Sequence, residues 1–321
     1  MTQPFRVLKF GGSSQASAER VAKVIEIVRR TSEEGPTAIV VSALGRSTDL
    51  LIEAADLAAA GDEAGASARV DEVVQIGRAN VAGLAEGPWV DEVMGRIEEL
   101  MSPLRKLLYG VRLLREYTPQ SLDLIMSFGE RLSATVMTEL LRARNVETLY
   151  VDARDWTVTG PEFGQARVDW MATQAQVTQL APTWRDRVCV HTGFLGRMPT
   201  GQTTTLGRNG SDYTATLLAR ALQASSVTIW TDVSGVMTAD PELVAHAYPI
   251  ERLSYMEALE LANFGARMFH PRTMIPLIES KIPLQIRNTL DGNSPGTLVD
   301  DRGEEDERRP TPVTSLENLA L

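Results

Sequence analysis

Residues 203–222, TTTLGRNGSDYTATLLARAL, crowd threonines, glycines, an arginine and an aspartate ahead of an apolar helical run. Gly207 and Gly210 permit positive φ or a close approach of the backbone, and Ser211 or Asp212 is placed to cap a helix starting near Tyr213. A capped turn accounts for all of this except Arg208. A planar guanidinium beside a helix N-terminus suits bidentate capture of a carboxylate or a phosphate. A second cluster, VLKFGGSS at residues 7–14, runs from a strand bearing Lys9 into Gly11, Gly12 and Ser13, with a helical run behind it. Strand, glycine turn and helix start together present free N–H groups and a positive dipole end, a setting for phosphate to which Lys9 adds a mobile charge. Neither GxxxxGK[ST] nor GxGxxG occurs here, so the turn is not a P-loop or a dinucleotide fingerprint.

Three further clusters carry candidate chemistry. Glu130, in SFGERLSA, follows a glycine and reads as a first-turn carboxylate at a helix start, where the dipole favours it. TDVSGVMTADP (231–241) follows the apolar strand VTIW, and open α/β sheets take ligands beyond the carboxyl ends of their strands. In FGARMFHPRT (264–273), Arg267 and Arg272 flank His270, which on its own reads as a packed or capping histidine. Three histidines and one cysteine, far apart, do not make a zinc site, and no residue is assigned as a metal ligand.

These clusters need elements to carry them. Short apolar runs at 5–10, 37–41, 148–151, 188–191, 227–230 and 282–286 read as strands, separated by stretches of helical period. Such alternation predicts an α/β fold with a mainly parallel central sheet sandwiched between helices. From about 66 to 115 the pattern is helical throughout, which predicts a helical hairpin inserted into that scheme. The stretch DDRGEEDERRP, from 300 to 310, has dense mixed charge and no apolar period, and reads as a solvated linker. At 321 residues the chain has room for one large α/β domain or two modest lobes.

Composition narrows the partners. A formal charge of −10 argues against nucleic acid, and an anionic substrate would have to be drawn in by a local positive site against the overall field. No run of about 18 apolar residues is present, so no membrane span is expected. The N-terminus lacks the pattern of a signal peptide, and the lone Cys189, in VCV, reads as a buried small hydrophobe. A cytoplasmic setting is the expectation.

Seven segments carry a resemblance: VLKFGGSS, VVSALGRSTDLL, SFGERLSA, TGFLGRMPTGQTTTLGRNGSDYTA, WTDVSGVMTADP, GARMFHPRT and IRNTLDGNSPGTLV. In this order they resemble the catalytic domain of aspartate kinases, over about 5 to 299. The helical insertion is most similar to the kinase half of bifunctional aspartate kinase/homoserine dehydrogenases. The resemblance implies the amino-acid-kinase fold over 1–299, with an amino-acid-binding lobe over about 1–205 and a nucleotide-binding lobe over about 206–299. It also implies that 300–321 is a charged linker and the start of a missing ACT regulatory region, and that a homodimer is plausible.

The implied reaction is ATP-dependent phosphorylation of the β-carboxylate of L-aspartate, the first step toward lysine, threonine and methionine, with Mg2+ beside ATP. A carboxylate with an ordinary pKa of about 3.9 is already ionised and needs no general base, so the protein's task is to supply positive charge and alignment. By resemblance, Lys9 and the amides of Gly11, Gly12 and Ser13 hold the transferring phosphoryl group, and Asp212 orients Lys9 and helps organise the Mg2+-bound phosphates. Arg208 clamps the substrate α-carboxylate, Glu130 takes its α-ammonium, and Ser42, Thr48, Phe194 and Ser211 complete the substrate side. Thr231, Asp232 and the loop with Met237 and Asp240 hold ribose and adenine, with Arg267 reaching phosphates. Departures from the family pattern gather on that nucleotide side: Ser234, Met237 and Glu242 stand for Asp, Tyr and Arg, and Arg267 for Lys. The expectation is intact aspartate recognition with altered ATP handling. The alternative is a weakly active or non-catalytic kinase-like domain serving ligand binding or assembly. Relatives acting on glutamate, N-acetylglutamate, carbamate or UMP fit SFGERLSA and GRNGSDYTA less well.

Overall fold

Strand β1 (Arg6–Phe10) alternates its side chains between two cores: Leu8 and Phe10 face one, Val7 the other. The computed structural model describes residues 3–84, 86–239, 244, 246–263, 270–292 and 294–302. Behind β1 come helix α1 (Ala18–Glu33), strand β2 (Thr37–Val41) and four consecutive helices. These are α2 (Ser47–Ala60), α3 (Glu63–Ala82), α4 (Pro88–Leu114) and α5 (Pro119–Arg142), so the expected helical hairpin is formed by α3 and α4. Then follow β3 (Thr148–Val151), α6 (Trp170–Leu180), β4 (Val188–Thr192), and a two-stranded antiparallel ribbon of β5 (Leu195–Arg197) and β6 (Thr203–Thr205). The remainder is α7 (Gly210–Leu222), β7 (Ser226–Thr231), β8 (Arg252–Ser254), α8 (Tyr255–Asn263), α9 (Pro271–Ser280), β9 (Leu284–Asn288) and β10 (Thr297–Asp300).

Eight strands form one sheet in the order β3-β4-β2-β1-β7-β9-β10-β8. From β3 to β9 every neighbouring pair is parallel; only β9 and β10 run antiparallel. Strands buried on both faces must be apolar at every position, and β2 (TAIVV) is buried throughout. Ile39 and Val41 join a core with α1 to α5, while Ala38 and Val40 join one with α6 to α9. The chain passes from β1 to β2 on one side and later returns to β7 on the other, so β1 marks the reversal in strand order. Crevices that bind ligands open at such a point, beyond the carboxyl ends of the strands. Lys9, opposite Val40 and Ile229 in the ladder, lies near that end.

Two boundaries differ from the sequence reading. Asp300 does not open a linker: it ends β10, and its carboxylate takes the guanidinium fork of Arg252. Residues 303–321 lie outside the described residues. Helix α5 starts at a Thr118–Ser121 capping box with Pro119 in its first turn, not near Glu130. No described helix is long and apolar enough to cross a membrane. Because β2 joins both cores, Ile39→Ala is expected to cost about 2–5 kcal/mol of stability, read as a lower denaturant midpoint with little change in slope.

Candidate active site

The ammonium of Lys9 stands 2.8 Å from Oδ1 of Asp212 across the opening beyond β1, with side chains only 11% and 15% exposed. The two form an ion pair by distance, without hydrogen-bond alignment at Oδ1. Asp212 lies inside the first turn of α7, which starts at Gly210. Ser211 and Asp212 are therefore not caps. The N-cap is Asn209, in the left-handed region at φ 55° and with no side-chain cap bond, which frees both side chains to face the opening.

Beyond β1 the chain turns through Gly11, Gly12 and Ser13 into a short 3-10 turn at Ser13–Gln15. A Cβ on Gly12 would stand 2.9 Å from the Ala43 carbonyl oxygen, so only glycine lets this turn back onto the loop after β2. The Gly11 amide points at the Trp230 carbonyl, 3.5 Å away, while the amides of Gly12 and Ser13 have no backbone acceptor among the described residues. Arg20 donates to the Ser13 carbonyl at 2.8 Å and adds a cation behind the turn. Buried Gln15 ties the region together. Its amide donates to the carbonyls of Phe10 and Ser42, and its oxygen accepts from Ser133 of α5. Arg20 and Gln15 carried no sequence signal, because neither belongs to a motif and most of Gln15's partners are distant in the chain.

Glu130 sits in the middle of α5, a correction to its reading as a first-turn residue. The glycine before it does not start the helix; a Cβ on Gly129 would lie 3.0 Å from the Ala43 Cβ, so the glycine allows α5 to press against the β2–α2 loop. Glu130 is only 4% exposed. Its Oε1 accepts from the Ala43 amide at 3.4 Å, and its Oε2 is buried without a partner. No helix-start dipole offsets this burial, and desolvation pushes its pKa up to about 8.

The opposite wall comes from the β4–β5 turn and the β6–α7 loop. Phe194 holds φ 67°, a left-handed conformation that costs a bulky residue strain and concentrates at functional sites. Its amide donates to Thr214 Oγ1 at 2.9 Å and its carbonyl accepts from the Leu206 amide at 2.8 Å, which fixes the strained residue from both sides. Lys9, Ser42, Thr48, Glu130, Phe194, Ser211 and Asp212 thus line one cleft of about 290 Å³, joined by Gly207, Asn209 and Gly210. That volume is at the small end of ligand sites. Arg208 lies between two lining residues, but its own side chain is exposed and makes no hydrogen bond or ion pair among the described residues. Burial first, then the charges of Arg272 and Arg208, hold the pKa of His270 below its ordinary value. His270 caps α9, its Nδ1 accepting from the Arg272 amide.

Other residues read from the sequence fall outside this cleft. Gly11 borders it: a Cβ there would lie 3.4 Å from the Lys9 ammonium. Thr231 and Asp232 follow Trp230, whose carbonyl faces the Gly11 amide, and the Thr231 hydroxyl donates to the Asp232 carboxylate. Ser234 accepts from the Asn288 side chain, and Met237 makes an isolated bridge to Pro249. Asp240, Glu242 and Arg267 lie outside the described residues.

A sequence model of the amino acid kinase family matches residues 4–288. The chain belongs to that family. Among its amino acid kinase relatives, aspartokinase 1 of Arabidopsis thaliana is 36% identical over 91% of this chain and 51% of its own length. A bifunctional aspartokinase/homoserine dehydrogenase from the same plant is 30% identical over 98% of this chain and 35% of its own. The structure of Escherichia coli aspartokinase III in complex with aspartate and ADP superposes with a TM-score of 0.85 at 34% identity, covering 94% of this chain and 65% of that one. The chain therefore spans between about a third and two thirds of the length of these relatives.

Glu130 gives the fold a pH signature. Its folded pKa of about 8 lies above the unfolded value near 4.5, so the folded state holds the extra proton between those values. The resulting stability is fully present below about pH 4.5 and is lost as pH rises through 8. A melting-temperature series from pH 5 to 8.5 is expected to fall more steeply for the parent protein than for E130Q; parallel curves would show that Glu130 ionises normally.

Proposed function

We propose that this chain phosphorylates the β-carboxylate of L-aspartate with ATP, giving 4-phospho-L-aspartate and ADP. The observation that carries the reading is the joint presence, in one small cleft, of a desolvated carboxyl with an orphaned oxygen and a Lys9–Asp212 ion pair beside a glycine turn. An orphaned carboxyl oxygen suits a substrate ammonium, and a lysine beside free amides suits a phosphoryl group. The aspartate and ADP in the superposable aspartokinase III support the same pairing here.

In this reading Glu130 receives the α-ammonium, and Arg208 swings in from the rim to meet the α-carboxylate. Ser42, Thr48, Ser211 and the Phe194 backbone enclose the remainder. The β-carboxylate, already ionised, attacks the γ-phosphorus; an O–P bond forms as the bond to the β,γ-bridging oxygen breaks, and ADP leaves with that electron pair. Lys9 and the amides of Gly12 and Ser13 offset the negative charge gathered there, which is the main barrier when one anion approaches another. Ammonium binding favours ionised Glu130, so aspartate binding below about pH 8 releases a proton and tightens as pH rises toward that value.

The hard carboxylate oxygens of Asp212, already facing the Lys9 ammonium, fit a Mg2+–nucleotide, which would be held mainly through its phosphates. Mg2+ supplies charge neutralisation of those phosphates when bound. The nucleotide base and ribose are assigned to the Thr231–Asp232 end of β7 and the loop through Met237 and Asp240, with Arg267 toward the phosphates. Residues to about 205 would then form the aspartate side and 206–299 the nucleotide side, with Arg208 and Ser211 reaching across from the second to the first.

Coupled measurement of ADP release with L-aspartate tests the reading directly. Turnover dependent on both substrates is expected; aspartate binding without ADP release would instead favour a non-catalytic domain. Lys9→Ala is expected to lower kcat by about 10²-fold or more while moving the aspartate KM by less than about threefold. Equal loss in both would remove Lys9 from the phosphoryl site.

A further inference from the structure

We infer that Asp123 is a positioning residue that sets affinity for the amino-acid substrate by fixing the loop that carries Arg208. The inference rests on the aspartate reading above. Asp123 lies on α5 seven residues before Glu130, two helical turns at 3.6 residues per turn, so both carboxyls project from one face of the same helix. It is 1% exposed, and burial pushes its pKa up despite three donors. Its Oδ2 accepts from the amides of Thr205 and Gly164, both at 2.9 Å, and its Oδ1 accepts from the Thr205 hydroxyl at 2.8 Å. Three donors converge on one side chain, and only a carboxylate offers acceptors at both oxygens with no donor of its own.

Thr205 ends β6, and the next residues are the substrate loop. The Leu206 amide is held by Phe194, and the Leu206 carbonyl accepts from Arg272 of α9 at 3.4 Å. Arg272 also donates to the Ala166 carbonyl, while the Ala166 amide donates to the Thr205 carbonyl. The loop thus leaves a clamp with α5 on one side and α9 on the other. Because α5 supplies both the clamp and Glu130, one rigid helix sets the spacing between the group that receives an ammonium and the loop that brings a guanidinium. That spacing is a gauge for the two charged ends of an α-amino acid. Neither the phosphate turn nor Lys9 touches Asp123, so the gauge acts on substrate affinity rather than on phosphoryl transfer.

D123A removes both acceptors and leaves the amides of Gly164 and Thr205 without their partner, whereas an amide at this position could turn its nitrogen to the Thr205 hydroxyl and keep all three bonds. In steady-state assays D123A is expected to raise the aspartate KM by about tenfold or more, with kcat and the ATP KM changed by less than about threefold. In an R208A background the same substitution is expected to add less than about twofold, because the two residues act through one loop. Amide exchange at Gly164 and Thr205 in the ligand-free protein is expected to quicken in D123A while exchange in β1 and β2 stays as in the parent. A parallel decline of kcat and both KM values, additive behaviour with R208A, or unchanged exchange would each overturn the inference. A parent chain that never takes aspartate defeats the substrate reading and the inference with it; a parent that does, beside an unaltered D123A, defeats the inference alone.

Discussion

Burying Glu130 costs free energy that the surrounding packing must offset. One oxygen has a long bond to the Ala43 amide and the other has none, so burial biases this side chain toward its neutral form. A neutral acid is cheaper to bury than a carboxylate, and a cationic partner reverses that preference. Its surroundings therefore favour a cationic neighbour over an anionic one. A cation or a hydrogen-bond donor set against the free oxygen would recover part of the desolvation energy. The close approach of α5 to the β2–α2 loop, permitted by Gly129, is part of what buries this side chain.

Preorganisation is the second theme. The parallel strands β1, β2 and β4 deliver Lys9, Ser42 and Phe194 to one edge of the sheet, and α7 adds Ser211 and Asp212 from its first turn. Their positions are then fixed by groups that do not face the cleft: Gln15 behind the glycine turn, Asp123 behind β6, Arg272 across from it. Each holds main-chain atoms of a loop and so stiffens a segment that would otherwise be free to choose its conformation. Arg208 is the exception. Left exposed at the rim, it is the one cation of the motif that retains rotamer freedom before a ligand arrives.

Much of this could be read from residue order. Runs such as TAIVV and VCVH are short, apolar and β-branched, which is what a strand buried on both faces requires, and they marked the sheet correctly. The strand-then-glycine pattern located the turn after Lys9. The short strands β5, β6, β8 and β10, three or four residues each, are too brief for periodicity to show. Glu130 was read as a helix-start residue because glycine usually breaks helices, and only the neighbouring Ala43 explains why one stays inside α5. Asp123 and Gln15 were invisible for a related reason. Their partners lie up to 82 and 118 residues away, so no local pattern can announce them.

The contact between Gly12 and the Ala43 carbonyl has a mechanical meaning. Main chain meets main chain there with no side chain between, so the turn after β1 cannot be pressed closer to the loop after β2 without pushing it along. The separation between whatever rests on one and whatever rests on the other is thereby written into the backbone itself. Exchanging side chains around the rim can retune which molecules are welcomed, but the reach between the two seats is inherited with the fold.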